Sequence, residues 1–160
     1  FAGVREKIPA KLLLIGEGPD LSVARKLVKE NGIEEDVLFL GNQKDVAEIL
    51  SICDLKLLLS EKESFGLVVL EAMACGVPAV GTNIGGIPEV IIDGETGYIC
   101  EVGDIEGIKE KALEIVCDPV LHEKMAKQSI ERVRQQFHSH KILRQYERIY
   151  YDVIQKPKDA

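Results

Sequence analysis

The 160 residues suit one domain of ordinary size, able to bury a core without disulfides or structural metals. Their 27 acidic against 20 basic side chains give a formal charge of −7, and no basic stripe of the kind that tracks nucleic acid stands out. No apolar run approaches the roughly 20 residues of a membrane span, and the start does not read as a signal peptide, so a cytoplasmic protein is expected. Cys53, Cys75, Cys100 and Cys117 stand singly in apolar stretches, which predicts reduced thiols used as small core residues and no metal site.

Phe1-Ala2-Gly3-Val4 reads as the end of a helix, so a preceding strand and turn are expected and the chain is read as a fragment lacking its first strand. Lys11 to Ile15 is a short apolar run closed by Gly16-Glu17-Gly18-Pro19. Leu21, Ala24, Leu27 and Val28 follow at helical spacing up to Asn31-Gly32. The order then repeats. Val37 to Leu40 reads as strand, Asp45 to Cys53 as helix, Leu55 to Leu59 as strand, Gly66 to Cys75 as helix and Pro78 to Gly81 as strand. Apolar strands alternating with helices predict a parallel, Rossmann-like α/β sheet covered by helices on both faces. Asp93 to Gly97 is a turn-rich loop and Tyr98 to Cys100 a short strand, which completes an α/β core over 1–103 of a single domain. Helices are expected from 104 onward. Ile105, Ile108, Ala112, Ile115 and Val116 make one apolar face, and Asp118-Pro119 opens a second helix. Ile142, Leu143, Tyr146, Ile149, Tyr150 and Val153 line a third, ahead of a polar tail from Lys156 to Ala160. Tyr146, Tyr150 and Tyr151 are read as helix packing with their hydroxyls outward.

An acidic chain that binds an anion must do so with local devices, above all unpaired N–H groups at helix starts. The stretch from Ser60 to Pro78 offers one. A strand ends near Leu59, the chain turns at Gly66 and a helix begins, so N–H groups around Gly66 to Val68 point above the sheet, where phosphate binds in open α/β folds. Glu63 and Glu71 flank this turn. As acid and base of a glycoside hydrolase they fit poorly: eight helical residues rise on the order of 12 Å, whereas hydrolytic carboxylates stand roughly 5 to 9.5 Å apart. Two carboxylates gripping hydroxyls at opposite ends of a sugar nucleotide, with its diphosphate between them, suit the spacing better.

Glu63 and Glu71 form an E-x7-E pattern, with Ser64-Phe65-Gly66 ahead of the helix and Ala72-Met73-Ala74-Cys75-Gly76-Val77-Pro78 behind it. Together with Gly16-Glu17-Gly18-Pro19, Asn83-Ile84-Gly85-Gly86-Ile87-Pro88-Glu89 and Asp93-Gly94-Glu95-Thr96-Gly97, the region from Lys11 to Gly103 resembles glycosyltransferase family four, retaining enzymes of GT-B fold. The resemblance implies that the chain is the C-terminal, donor-binding domain, partnered by an N-terminal acceptor domain. It implies that Glu71 holds the ribose hydroxyls and that Glu63, Ser64, Phe65, Gly66, Leu67 and Val68 meet the donor sugar and diphosphate, Leu67 and Val68 through their N–H groups. Gly16 and Gly18, with Gly41-Asn42-Gln43, would flank uracil. Glu63 is the candidate catalytic residue, as a contact to the reacting sugar and not as a nucleophile. The implied reaction transfers a hexosyl group, N-acetylglucosamine, from UDP to a hydroxyl acceptor, L-malate, with retention. UDP-sugar is then a substrate, and neither cofactor nor metal is expected, since no D-x-D is present. The family's phosphate-binding Arg and Lys belong to the strand expected to be absent, and Arg5, Lys7 and Lys11 do not stand in that motif.

Other readings stay open beside this one. The isolated chain could be a UDP-sugar-binding module without activity, or the architecture could serve a sugar-nucleotide epimerase. A dinucleotide-binding dehydrogenase would need glycine where Leu21 stands. Gly85-Gly86 either brings backbone close to a ligand or starts the short helix at Pro88. Phe65 has a plain packing role as its alternative. His138 and His140 read as a solvated helix start, with no third ligand to make a metal pair. The last helix would cross to the missing domain, or cover its own domain or a second copy in a homo-oligomer.

Overall fold

Strand β4 (Ala79–Thr82) is buried along its whole length, between β3 (Lys56–Leu58) and β5 (Gly97–Cys100), and all three run parallel. Side chains alternate across such a strand, and the two faces of β4 accordingly enter different cores. Ala79 packs with Val69 and Met73 of α4 (Leu67–Ala74) and with Ile87 and Val90 of α5 (Ile87–Val90). Val80 packs with Ile115 of α6 (Ile105–Cys117) and Met125 of α7 (Pro119–Arg132). The expected helical layers on both faces follow from this alternation. The computed structural model describes residues 1–155, and the expected polar tail lies outside them.

A second parallel pair joins β1 (Leu12–Ile15) to β2 (Val37–Gly41), with an irregularity where Ile15 pairs with Gly41. No ladder connects β1 to β3, so the single sheet read from the sequence is divided in two. The leucines of β1 and β3 are half-buried where a doubly covered sheet would bury them. The halves are held together by helices. Leu50 of α3 (Val46–Leu50) packs on Ala72 of α4 and on Val77, with Val46, Cys53 and Cys75 around them. Helix α2 (Leu21–Glu30) follows β1, and α1 (Ala2–Arg5) is a single turn with Gly3 seated on the Lys109 side chain of α6.

The ends of the later helices are written in the sequence. Asp104 accepts from the Gly107 N–H at 2.9 Å, and Asp118 accepts from Val120 and Leu121 at 2.9 and 3.0 Å, with Pro119 in the first turn. Three readings need correction. Ile105, the first residue of α6, is 75% exposed and does not join Ile108 and Ile115 in the core. Cys117 is exposed and only Cys100 of the four thiols is buried. Helix α8 (Ser139–Gln155) buries no residue, and Tyr146, Tyr150 and Tyr151 are 57, 66 and 64% exposed, so its aromatic face does not pack on the described residues.

Candidate functional site

The segment after β3 is built by hydrogen bonds that the loop makes to itself. The hydroxyl of Thr82, a buried residue, donates to the Ser60 carbonyl at 2.7 Å and ties the loop to β4. Glu63 Oε1 accepts from the Ser64 N–H at 2.8 Å and the Phe65 N–H at 3.3 Å, so its carboxylate fixes the turn. Gly66 then adopts φ +91, the left-handed conformation that glycine takes without strain, and α4 starts at Leu67. No side chain caps this helix, and neither the Leu67 nor the Val68 N–H has an acceptor among the described residues. Two donors with the helix dipole behind them therefore remain free at the carboxyl end of β3.

Helix periodicity sets what surrounds them. Val69, Ala72 and Met73 are fully buried, while Leu67, Val68 and Glu71 share the opposite, exposed face. Glu71 thus stands one turn below the free N–H groups and Glu63 ahead of them. The sequence reading passed over Lys56, whose ammonium is pushed down by burial, with Glu71 acting in the opposite direction.

Gly85 and Gly86 serve the loop itself. A Cβ on Gly85 would stand 1.9 Å from the Glu63 carbonyl oxygen, and one on Gly86 2.7 Å from the Phe65 Cα. The Gly86 N–H also donates to the Ser64 carbonyl at 3.1 Å. The close approach is to protein backbone, and Gly86 caps α5 at the same time, which is the second of the two alternatives read from the sequence. Phe65 meets Phe137 edge to face, centroids 6.1 Å apart. Phe137 ends a π-helical turn, Val133–Phe137, and Arg132 ahead of it donates to the Val90 carbonyl at 2.7 Å and to that of Glu89. No periodicity in the sequence pointed to Phe137 or Arg132, since a π turn inserts a residue into the 3.6-residue repeat.

The expected uracil-side loops are brought to each other. The Gly16 N–H donates to the Gly41 carbonyl at 2.8 Å, both glycines have positive φ, and an open cavity of about 280 Å³ lies against Leu14, Gly16, Gly18 and Phe39. Gln43 turns its amide back onto the Leu40 carbonyl, and Asn42 is exposed. No hydrogen bond joins these loops to the stretch from Ser64 to Glu71, and their link is the packing of α3 on α4. Arg5 and Lys11 are engaged by Asp36, whose carboxyl they hold below its usual range. His138 and His140 stack, centroids 5.5 Å apart, at the start of α8 as expected. No group of three or more potential metal ligands occurs among the described residues, and none of their helices is long and apolar enough to cross a membrane.

Residues 1–134 match the family described as glycosyl transferases group 1. The chain belongs to that family. This group 1 chain is 55% identical, over its whole length, to the N-acetyl-alpha-D-glucosaminyl L-malate synthase of Bacillus anthracis, of which it covers 42%. Sucrose-phosphate synthase from Thermosynechococcus elongatus superposes on 96% of it with a TM-score of 0.87 at 28% identity, the match covering 41% of that chain. The C-terminal domain of a group 1 glycosyl transferase, LpcC, from Francisella tularensis superposes on 85% with a TM-score of 0.74 at 32% identity, covering 75% of that chain. The expected fold, a Rossmann-like α/β domain of GT-B type, is the one these structures share. The chain spans about two fifths of the curated relative it matches at 55% identity.

Proposed function

We propose that this chain is the donor-binding part of a retaining glycosyltransferase that takes a hexosyl group from a UDP-sugar. The observation that carries the reading is the pair of free N–H groups, Leu67 and Val68, set behind the left-handed Gly66 between Glu63 and Glu71. A diphosphate on those donors needs no net positive charge in the protein and no metal. As the sugar leaves with oxocarbenium character, negative charge grows on the diphosphate, and pre-oriented N–H groups stabilise it without reorganising. Glu71, exposed one turn down the helix, is the ribose contact of this reading. Glu63, whose carboxylate already holds the Ser64 and Phe65 N–H groups, shapes the sugar side of the turn. N-acetylglucosamine as the hexose and L-malate as the acceptor are carried over from the printed name of the 55% identical relative. The 160 residues by themselves are proposed to bind the donor without turning it over.

Calorimetry with UDP and UDP-N-acetylglucosamine separates the two glutamates. Glu71→Ala is expected to weaken both ligands by roughly 1.5 to 3 kcal/mol, the worth of hydrogen bonds to a charged group. Glu63→Ala should leave UDP within about 0.5 kcal/mol and weaken the sugar nucleotide, since its contacts lie at the hexose. Affinities unchanged by EDTA are expected throughout. Equal loss of UDP affinity in both variants, with the fold intact, would overturn the assignment of the two ends.

A further inference from the structure

The fold gathers a basic cavity that the sequence reading did not find. Arg134 of the π-helical turn, His138 and His140, and Lys141, Arg144 and Arg148 of α8 line an open concavity of about 600 Å³. Lys141, Arg144 and Arg148 fall at i, i+3 and i+7, one stripe of the helix, opposite the apolar stripe of Ile142, Tyr146, Ile149 and Val153. The stripe therefore faces the turn that carries Arg134.

A solvated helix face usually sets its cations against carboxylates. Here none of Arg134, Lys141, Arg144 and Arg148 is in an ion pair among the described residues, although acidic side chains outnumber basic ones in the chain. Asp152 continues the stripe a turn beyond Arg148 but does not line the cavity. Lys141 is held in place by donating to the Gln135 carbonyl at 2.9 Å and to Gln136 Oε1 at 2.7 Å. Four permanent cations brought together without neutralisation repel one another, and an anion that bridges them relieves that repulsion. Guanidinium forks suit tetrahedral oxyanions, and the stacked imidazoles line the same cavity, with the His138 Nδ1 accepting from the His140 N–H at 3.3 Å.

We propose that this cavity is a second anion site, separate from the Gly66 turn, and that it takes a multiply charged phosphate group. The experiment uses the 160-residue chain and inorganic tripolyphosphate, followed by the ring C–H resonances of its three histidines. His122, whose ring meets the Asp54 carbonyl, is the internal control. Saturable shifts of His138 and His140, with His122 unmoved, are expected. In Arg144→Ala/Arg148→Ala the affinity should fall by about tenfold or more, as charge-assisted bonds are lost. Both arginines are exposed, and an unchanged His122 spectrum checks that the variant is folded. Sedimentation with phosphatidylglycerol and phosphatidylcholine vesicles separates the sources. Tripolyphosphate binding without vesicle binding indicates a soluble phosphate ester, and arginine-dependent binding to the anionic vesicles that tripolyphosphate reverses indicates a lipid headgroup. The proposal is overturned if neither probe binds, if His122 shifts in step with the other two, or if the double variant keeps its affinity.

Discussion

Gly85 and Gly94 show how little a glycine says until its surroundings are known. Both have positive φ, +54 and +74, and both sit in loops that the sequence marks as turns. A Cβ at Gly94 would meet nothing within 4 Å, whereas one at Gly85 would meet the Glu63 carbonyl oxygen at 1.9 Å. Alanine at either position bears the left-handed penalty, about 1–2 kcal/mol. At Gly85 backbone must also move against backbone, so Gly85→Ala is expected to cost upward of about 3 kcal/mol, with Gly94→Ala confined to the smaller figure. Urea unfolding measures both, and equal losses would mean that the loop from Glu63 to Phe65 yields freely. Glu63 and Glu71 were legible as a pair because their spacing across a strand-to-helix turn is a property of sequence. The self-bonding of the Glu63 carboxylate was not, since it depends on how the loop folds back.

At the scale of elements, the strands and most helices were legible because continuous apolar runs mark strands covered on both faces and period-3.6 patterns mark helices, as Ala79 and Val80 show by entering opposite cores. The reading failed where burial does not follow the pattern. Helix α8 has a clean apolar stripe and buries no residue, and the Val133–Phe137 turn breaks the repeat at the segment that supports Phe65. Arg132 latches this turn to α5 through the Val90 and Glu89 carbonyls, with its guanidinium 5.6 Å from the Phe137 ring centroid. Since α5 packs with α4 and Phe65 in one core, the latch also supports the loop from Glu63 to Phe65. Arg132→Met keeps the aliphatic stem and removes the donors, and is expected to lose about 2 kcal/mol of stability, near one charged hydrogen bond after allowance for partial exposure. Thermal or urea unfolding reads this directly. A loss below about 0.5 kcal/mol, the size of an ordinary surface substitution, would show that the latch contributes nothing.

Over the whole molecule the two proposed anion sites should respond differently to salt. The Gly66 turn offers N–H dipoles and no placed cation pair, so the field a nucleotide meets on approach is set by the net charge of −7. That field opposes UDP. The Debye length shortens from about 30 Å at 0.01 M to about 8 Å at 0.15 M, which screens the long-range repulsion and leaves hydrogen bonds at contact distance nearly untouched. UDP affinity is therefore expected to hold steady or rise by a few-fold as sodium chloride increases over this range. In the proposed α8 site tripolyphosphate is attracted by the four cations that line the cavity, and screening weakens that attraction. Its dissociation constant, read from the His138 and His140 shifts, should rise steadily across the same titration. Parallel weakening of both ligands would mean that a cation not assigned to the Gly66 turn holds the UDP phosphates, and Lys56 and Lys62, by their positions beside Glu71 and Glu63, would be the first to replace with methionine.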